Sequence, residues 1–151
     1  MLKSLIILLF SLQAYATDAD DILGIYWSPS KDGRVEITKK DDNKYYGTLV
    51  WNKTPEKKDT KNPDPKLRDR TLRGMEFLTN FSFEPEDKEW VDGKIYDPKS
   101  GKTYSSKIWL DDNNNMKVRG FIGMSFLGRT ETFERYKLED AEDMSAKAVT
   151  E

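Results

Sequence analysis

The sequence predicts an all-β domain, a barrel or sandwich of about eight short antiparallel strands. Three observations carry this. Apolar and aromatic runs of strand length recur along the chain, separated by turn residues. Several of them alternate with period two, and none sustains a helical period. The chain holds no Cys, so burial and backbone pairing alone must hold the fold.

The N-terminus reads differently from the rest. Lys3 gives a short positive flank, Leu5 to Leu12 an apolar run, and Ala14-Tyr15-Ala16 the small-x-small pattern of a cleavage site. The run is too short to span a bilayer, which takes about 20 apolar residues. Residues 1–16 are therefore expected to be a cleavable signal peptide. The protein is expected to be periplasmic or secreted, and not membrane-spanning after cleavage. No Cys follows the apolar run to take a lipid anchor.

The strands follow in order. Ile22 to Ser28 is an apolar and aromatic run closed by Pro29, and Lys31-Asp32-Gly33 makes a turn. Arg34 to Lys40 places Val35 and Ile37 on one face. Asp41-Asp42-Asn43 signals a hairpin into Lys44 to Trp51. Gly74 to Phe83 puts Met75, Phe77, Thr79, Phe81 and Phe83 on one face by period two. Gly93 suggests a bulge within Glu89 to Asp97. Lys102 to Asp111 alternates Tyr104, Ser106, Ile108 and Leu110 against Thr103, Ser105, Lys107 and Trp109. Met116 to Ile122 and Arg129 to Tyr136 close the series. The tail, residues 137–151, is acidic and reads as frayed helix or disorder.

One segment breaks the pattern. Asn52 to Arg73 is charged and carries Pro55, Pro63 and Pro65. So long a connection is expected to be functional, mobile or partly helical. Asp64 is placed to cap a short turn that Pro65 opens.

Three blocks of residues carry a family resemblance. They are Lys61-Asn62-Pro63-Asp64-Pro65 with Leu67-Arg68; Gly93-Lys94-Ile95-Tyr96-Asp97-Pro98 with Gly101-Lys102-Thr103-Tyr104-Ser105; and Lys117-Val118-Arg119-Gly120-Phe121 with Gly128-Arg129-Thr130. In these the chain resembles the bacterial exported proteins called DUF2147, over roughly Ile22 to Tyr136. The resemblance implies a single lipocalin-like antiparallel β-barrel of about eight strands, spanning residues 17–136, with no established activity. Lipocalins carry Gly-x-Trp on the first strand, whereas this chain has Gly24-Ile25-Tyr26-Trp27. The comparison gives Trp27 the barrel-closing role, with Arg129 or Arg135 stacked on it.

Composition bounds the chemistry. The chain holds no His, and with Cys absent too, neither Ser-His-Asp nor Cys-His catalysis is open to it. Asp59, Asp64, Asp97 and Glu131 remain as carboxylates for acid–base work, although turn carboxylates mostly bond to backbone. An enzyme is not expected, and no cofactor is implied. Asp59, Asn62 and Asp64 lack the Gly and Glu of a calcium loop, so no metal is implied either. The net charge is −2, with basic and acidic residues interspersed. That pattern argues against nucleic acid and against anionic membranes as partners.

Binding is the remaining chemistry. An eight-stranded barrel has room for its own side chains or for one small ligand. Inward candidates are Val35, Ile37, Leu49, Leu110 and Phe133, together with the ligand-contact set Trp51, Met75, Phe77, Ile95, Tyr104, Ile108 and Val118. They suit a small apolar or amphipathic molecule, unless they fill the barrel themselves. Asn62, Asp64, Arg68 and Arg119 are the mouth or lid candidates, against the simpler reading that Asn62 to Pro65 only fixes a turn. The competing reading is a filled barrel that meets an envelope protein or polymer through exposed aromatics such as Tyr45, Trp90, Trp109 or Phe126.

Overall fold

Eight antiparallel strands run in sequence order around one sheet. They are β1 (Gly24–Trp27), β2 (Gly33–Lys39), β3 (Tyr45–Asn52), β4 (Glu76–Glu84), β5 (Glu89–Asp97), β6 (Lys102–Leu110), β7 (Met116–Phe121) and β8 (Arg129–Phe133). A computed structural model describes residues 17–142. The leader read over residues 1–16 and the end of the tail, residues 143–151, lie outside them.

The sheet curls until its ends meet. Past β8 the chain pairs back onto β1 through a bridge between Tyr26 and Arg135. The Trp27 N–H donates to the Glu134 carbonyl at 2.7 Å, and the Tyr136 N–H to the Ile25 carbonyl at 2.8 Å. The result is a nearly closed up-and-down barrel. Hairpin turns are tight, and Asn43 and Asn114 take the left-handed conformation that their short polar side chains tolerate.

Bulges decide which side chains enter the barrel. On β3 the partner of Val35 is Leu49 but the partner of Arg34 is Trp51, so one residue is extra. Leu49 therefore points in and Trp51 points out. On β5 the register slips between Trp90 and Gly93, with Asp92 at φ 60°, as Gly93 foretells. On β4 Asn80 sits at φ 68°, and the buried residues are Leu78 and Phe81, three apart. Met75 precedes the strand and is buried, while Phe77 is half-buried at the edge of the core. The period-two face read over β4 is thus interrupted. β6 carries no slip and keeps its alternation.

One end of the barrel is filled. Tyr26, Val35, Ile37, Tyr45, Leu78, Phe81, Trp90, Ile108, Met116, Val118 and Phe133 form one buried cluster. A 3-10 turn, η1 (Ala19–Ile22), makes the floor. Ile22 is fully buried, Trp90 Nε1 donates to the Ala19 carbonyl at 3.1 Å, and the Tyr45 hydroxyl donates to Asp20 at 2.6 Å. Tyr45 and Trp90 are thus core residues and offer no surface for a partner. Residues 138–142 begin a helical turn whose Asp140 accepts from Trp27 Nε1 at 3.3 Å.

Candidate functional site

The β1–β2, β3–β4, β5–β6 and β7–β8 connections all lie at the end opposite the floor, because antiparallel neighbours alternate direction. The long β3–β4 connection is structured there. It narrows into a small ladder in which Lys58 bridges Thr71. The Asp59 N–H donates to the Arg70 carbonyl, and the Leu72 N–H to that of Lys57. A 3-10 turn, η2 (Pro65–Leu67), follows its cap Asp64, which accepts from the Lys66 N–H at 3.0 Å.

Asp59 is the anchor of this connection. It is fully buried and accepts from Tyr96 Oη at 2.6 Å, Asn62 Nδ2 at 2.7 Å and Arg70 Nε at 3.0 Å. Burial alone pushes its pKa up. The hydrogen bonds from Tyr96, Asn62 and Arg70, with the Arg70 charge, outweigh burial and hold it below the usual carboxylate range. Burial and the Asp59 carboxylate push the Tyr96 hydroxyl up to about 12.

Behind this loop opens a cleft of about 420 Å³ at the barrel mouth. Gly33, Leu49, Leu72 and Pro98 give it an apolar lining, and Lys53, Lys57, Lys58, Lys61 and Lys99 ring it. Lys58 pairs with Asp69 at 3.1 Å; the other four make no ion pair among the described residues. Asp32 also lines it. The Ser30 hydroxyl foremost, then Ser28 and the Lys99 charge, hold Asp32 below the usual range against the effect of burial. A second cleft, about 270 Å³, lies on the outer face under the same loop, between Asn62, Arg70, Phe77, Lys94 and Tyr96.

The residues expected to contact a ligand do not converge. Ile108 and Val118 are buried in the filled end. Ile95 and Tyr104 are paired and face inward above it, beside Gly120, where a Cβ would meet Ile95 at 3.3 Å. Met75 is buried behind Leu49. Phe77 lines the outer cleft instead. Trp51 is outside the barrel, edge-to-face with Trp27, which in turn meets Tyr136; the Arg34 guanidinium sits among the three, 4.7 Å from the Trp51 ring. Below the mouth the Ser106 hydroxyl is buried without a hydrogen-bond partner among the described residues, flanked on its neighbouring strands by Gly93 and Gly120.

The mouth candidates bond within their own loops. Asn62 accepts from the Asp64 N–H, Asp64 caps η2, and Arg68 Nε donates to the Asn62 carbonyl. These are turn-fixing bonds. Arg119 points outward and holds the β7–β8 connection, donating to the Ser125 and Phe126 carbonyls and to Thr130 Oγ1.

The barrel-closing pair is corrected. Tyr26, not Trp27, stands two residues after Gly24, so it shares the inward face, and Arg135 lies 4.7 Å over its ring. Arg135 also donates to the Asp21, Leu23 and Asn114 carbonyls. Gly24 is at φ 133°, and any Cβ there would sit 3.1 Å from the Arg135 guanidinium. Trp27 faces outward, and its cation is Arg34. Arg129 lies at the other end of β8, exposed and paired with Glu131.

The lysine ring was not singled out in the sequence, although the density of Lys between positions 53 and 61 was visible there.

An ordered eight-stranded barrel, floored by an N-terminal 3-10 turn and closed by an Arg stacked on a first-strand aromatic, defines the lipocalin-like class. In agreement, the fold is similar to a solved structure described as "Protein HP1028 from the human pathogen Helicobacter pylori belongs to the lipocalin family". The two share 25% identity and a TM-score of 0.70 over 82% of this chain and 88% of that one. Within this class the chain belongs to the family described as "Uncharacterized protein conserved in bacteria (DUF2147)", whose model matches residues 24–135. No curated protein matches the chain.

Proposed function

We propose that this protein is an exported binding protein, periplasmic or secreted, for a small amphipathic molecule that carries an anionic group. The mouth cleft carries the reading. Its volume of about 420 Å³ falls in the range of small-molecule sites, roughly 300–1,000 Å³. Its lining pairs an apolar base, Leu49 and Leu72, with a rim of lysines that have few carboxylate partners. An apolar body and a negative head match that division. Binding rather than catalysis fits the absence of His and Cys, and the best-buried carboxylate, Asp59, is already bonded to three side chains.

Native mass spectrometry of protein purified gently from its own envelope tests this first. A bound mass lost on denaturation is expected. A fluorescent long-chain carboxylate and its neutral alcohol then probe the purified barrel. The carboxylate is expected to bind more tightly, and Lys57→Glu with Lys61→Glu to weaken it roughly tenfold without affecting the alcohol. Equal affinity for both probes would remove the anionic head from the reading. A bare mass together with no binding of either probe would remove the small ligand.

A further inference from the structure

The interspersed charges of the linear sequence are not interspersed in space. An up-and-down barrel sends alternate connections to opposite ends, and here it sorts charge as it does so. The mouth-end connections, residues 28–32, 53–75, 98–101 and 122–128, hold ten Lys and Arg against five Asp and Glu. The opposite end, residues 40–44, 85–88 and 111–115 with the floor segment 17–23, holds three against nine. The molecule is positive at its mouth and negative at its floor, although its net charge is small. The expectation that it avoids anionic surfaces rests on the linear pattern, and this sorting opens the opposite reading for the mouth end.

The same positive end carries the apolar tip of the molecule. The β7–β8 connection has no charged residue, and Ile122, Met124, Phe126 and Leu127 stand 74%, 62%, 72% and 71% exposed. This is a built feature. A short 3-10 turn, η3 (Ser125–Leu127), shapes it. Arg119 grips its backbone at the Ser125 and Phe126 carbonyls, and Gly128 packs so closely on the Gly120 carbonyl that a Cβ would not fit. The backbone is thereby satisfied while the apolar side chains are left facing water. Soluble monomers rarely keep such a cluster without a partner.

We propose that the mouth end docks on an anionic phospholipid bilayer, with Ile122, Met124, Phe126 and Leu127 entering the interface and the lysines around the cleft meeting lipid phosphates. Apolar residues flanked by cations are the composition of interfacial anchors. A protein partner would also accept the apolar tip, but the surrounding excess of positive charge favours an anionic surface. Docking in this orientation sets the cleft against the membrane and leaves the acidic floor facing away. The ligand reading shares the lysines around the cleft, but the β7–β8 connection does not line it, so substitutions in that connection separate docking from ligand binding.

Sedimentation with vesicles tests it, using the chain from Thr17 onward, which carries the whole barrel and lacks the apolar leader. The protein is expected to pellet with vesicles of phosphatidylglycerol and phosphatidylcholine, and severalfold less with phosphatidylcholine alone. Raising salt from about 0.1 M to about 1 M, which shortens the screening length from about 10 Å to about 3 Å, is expected to release most of it. Phe126→Ser with Leu127→Ser is expected to cut vesicle binding roughly tenfold or more. That double variant should keep the melting temperature and the affinity for the carboxylate probe. Wild-type protein that stays in solution with anionic vesicles overturns the proposal, as does a double variant that pellets like wild type. A wild-type dimer that the double variant abolishes, without vesicle binding, assigns the tip to a second copy instead.

Discussion

Asp59→Asn tests whether one buried carboxylate holds the mouth wall. The side chain keeps its volume but loses its charge, and an amide can accept only on one side. In the wild type, Oδ2 takes both Asn62 Nδ2 and Arg70 Nε, and Oδ1 takes Tyr96 Oη. At least one of these donors is left facing an N–H. Stranding a buried donor costs about 1–3 kcal/mol, more beside a charge. Breaking a buried ion pair costs about 3–5 kcal/mol. Arg70 is 37% exposed and recovers some hydration, so a total of about 3 kcal/mol is expected. In urea the midpoint should fall with an unchanged slope, and the melting temperature should drop by about 10 °C. The sign with pH is fixed. The folded pKa of Asp59 is depressed, so its contribution is present above the unfolded value near 3.9 and is lost as pH falls through the folded value. The gap between wild type and variant should therefore narrow as pH falls below about 4. A loss under about 1 kcal/mol at neutral pH, or a gap that persists undiminished in acid, refutes the reasoning.

Two further outcomes follow from the barrel's closure and from three phenols whose pKa is raised. Arg135→Ala removes the stack on Tyr26 and three carbonyl contacts, and should cost about 2–4 kcal/mol by urea titration, with Arg135→Lys restoring little because an ammonium cannot span the three carbonyls. Burial foremost raises Tyr26, Tyr45 and Tyr96 to about 12, so stability should decline as pH rises from about 10, where these phenols ionise in the unfolded chain, towards 12; a flat profile across that window, followed by tyrosinate absorbance, counts against the buried assignments.

The regular strands were legible because their side chains keep period two. β6 needed nothing more, and its inward residues Tyr104, Ser106, Ile108 and Leu110 were readable from alternation alone. The short turn after Asp64 was readable for a similar local reason, since Asp followed by Pro is a cap whatever surrounds it. Misreadings occur where a bulge inserts one residue. Trp51 shares parity with Leu49, yet the slip beside Arg34 turns it outward, and nothing local in Thr48-Leu49-Val50-Trp51 marks the extra residue. On β4 a slip leaves Phe77 unpaired between Glu76 and Leu78, half-buried at the edge of the core. Residue type points to Trp27 as the barrel-closing aromatic, whereas distance from Gly24 puts Tyr26 on the inward face. The lysine rim and the polarity of the barrel lie a level higher still. They arise only when the connections are sorted to the two ends, and a linear count of charges averages them away.

The order of strands around the barrel has a kinetic meaning. Every pairing but one joins sequence neighbours, so the sheet can grow by successive hairpins, each closing a short loop. The exception is the bridge from Tyr26 to Arg135, which spans nearly the whole barrel. Closing it before any hairpin has formed would cost about 4 kcal/mol in the logarithmic term alone, for a flexible loop of roughly 110 residues. The seam is held by the Glu134, Arg135 and Tyr136 backbone, by the Arg135 guanidinium, and by the contacts of Trp27 with Tyr136 and Asp140. The seam is therefore the last part of the ring to form and the first to open, and a barrel that breathes will do so between its first strand and its last residues.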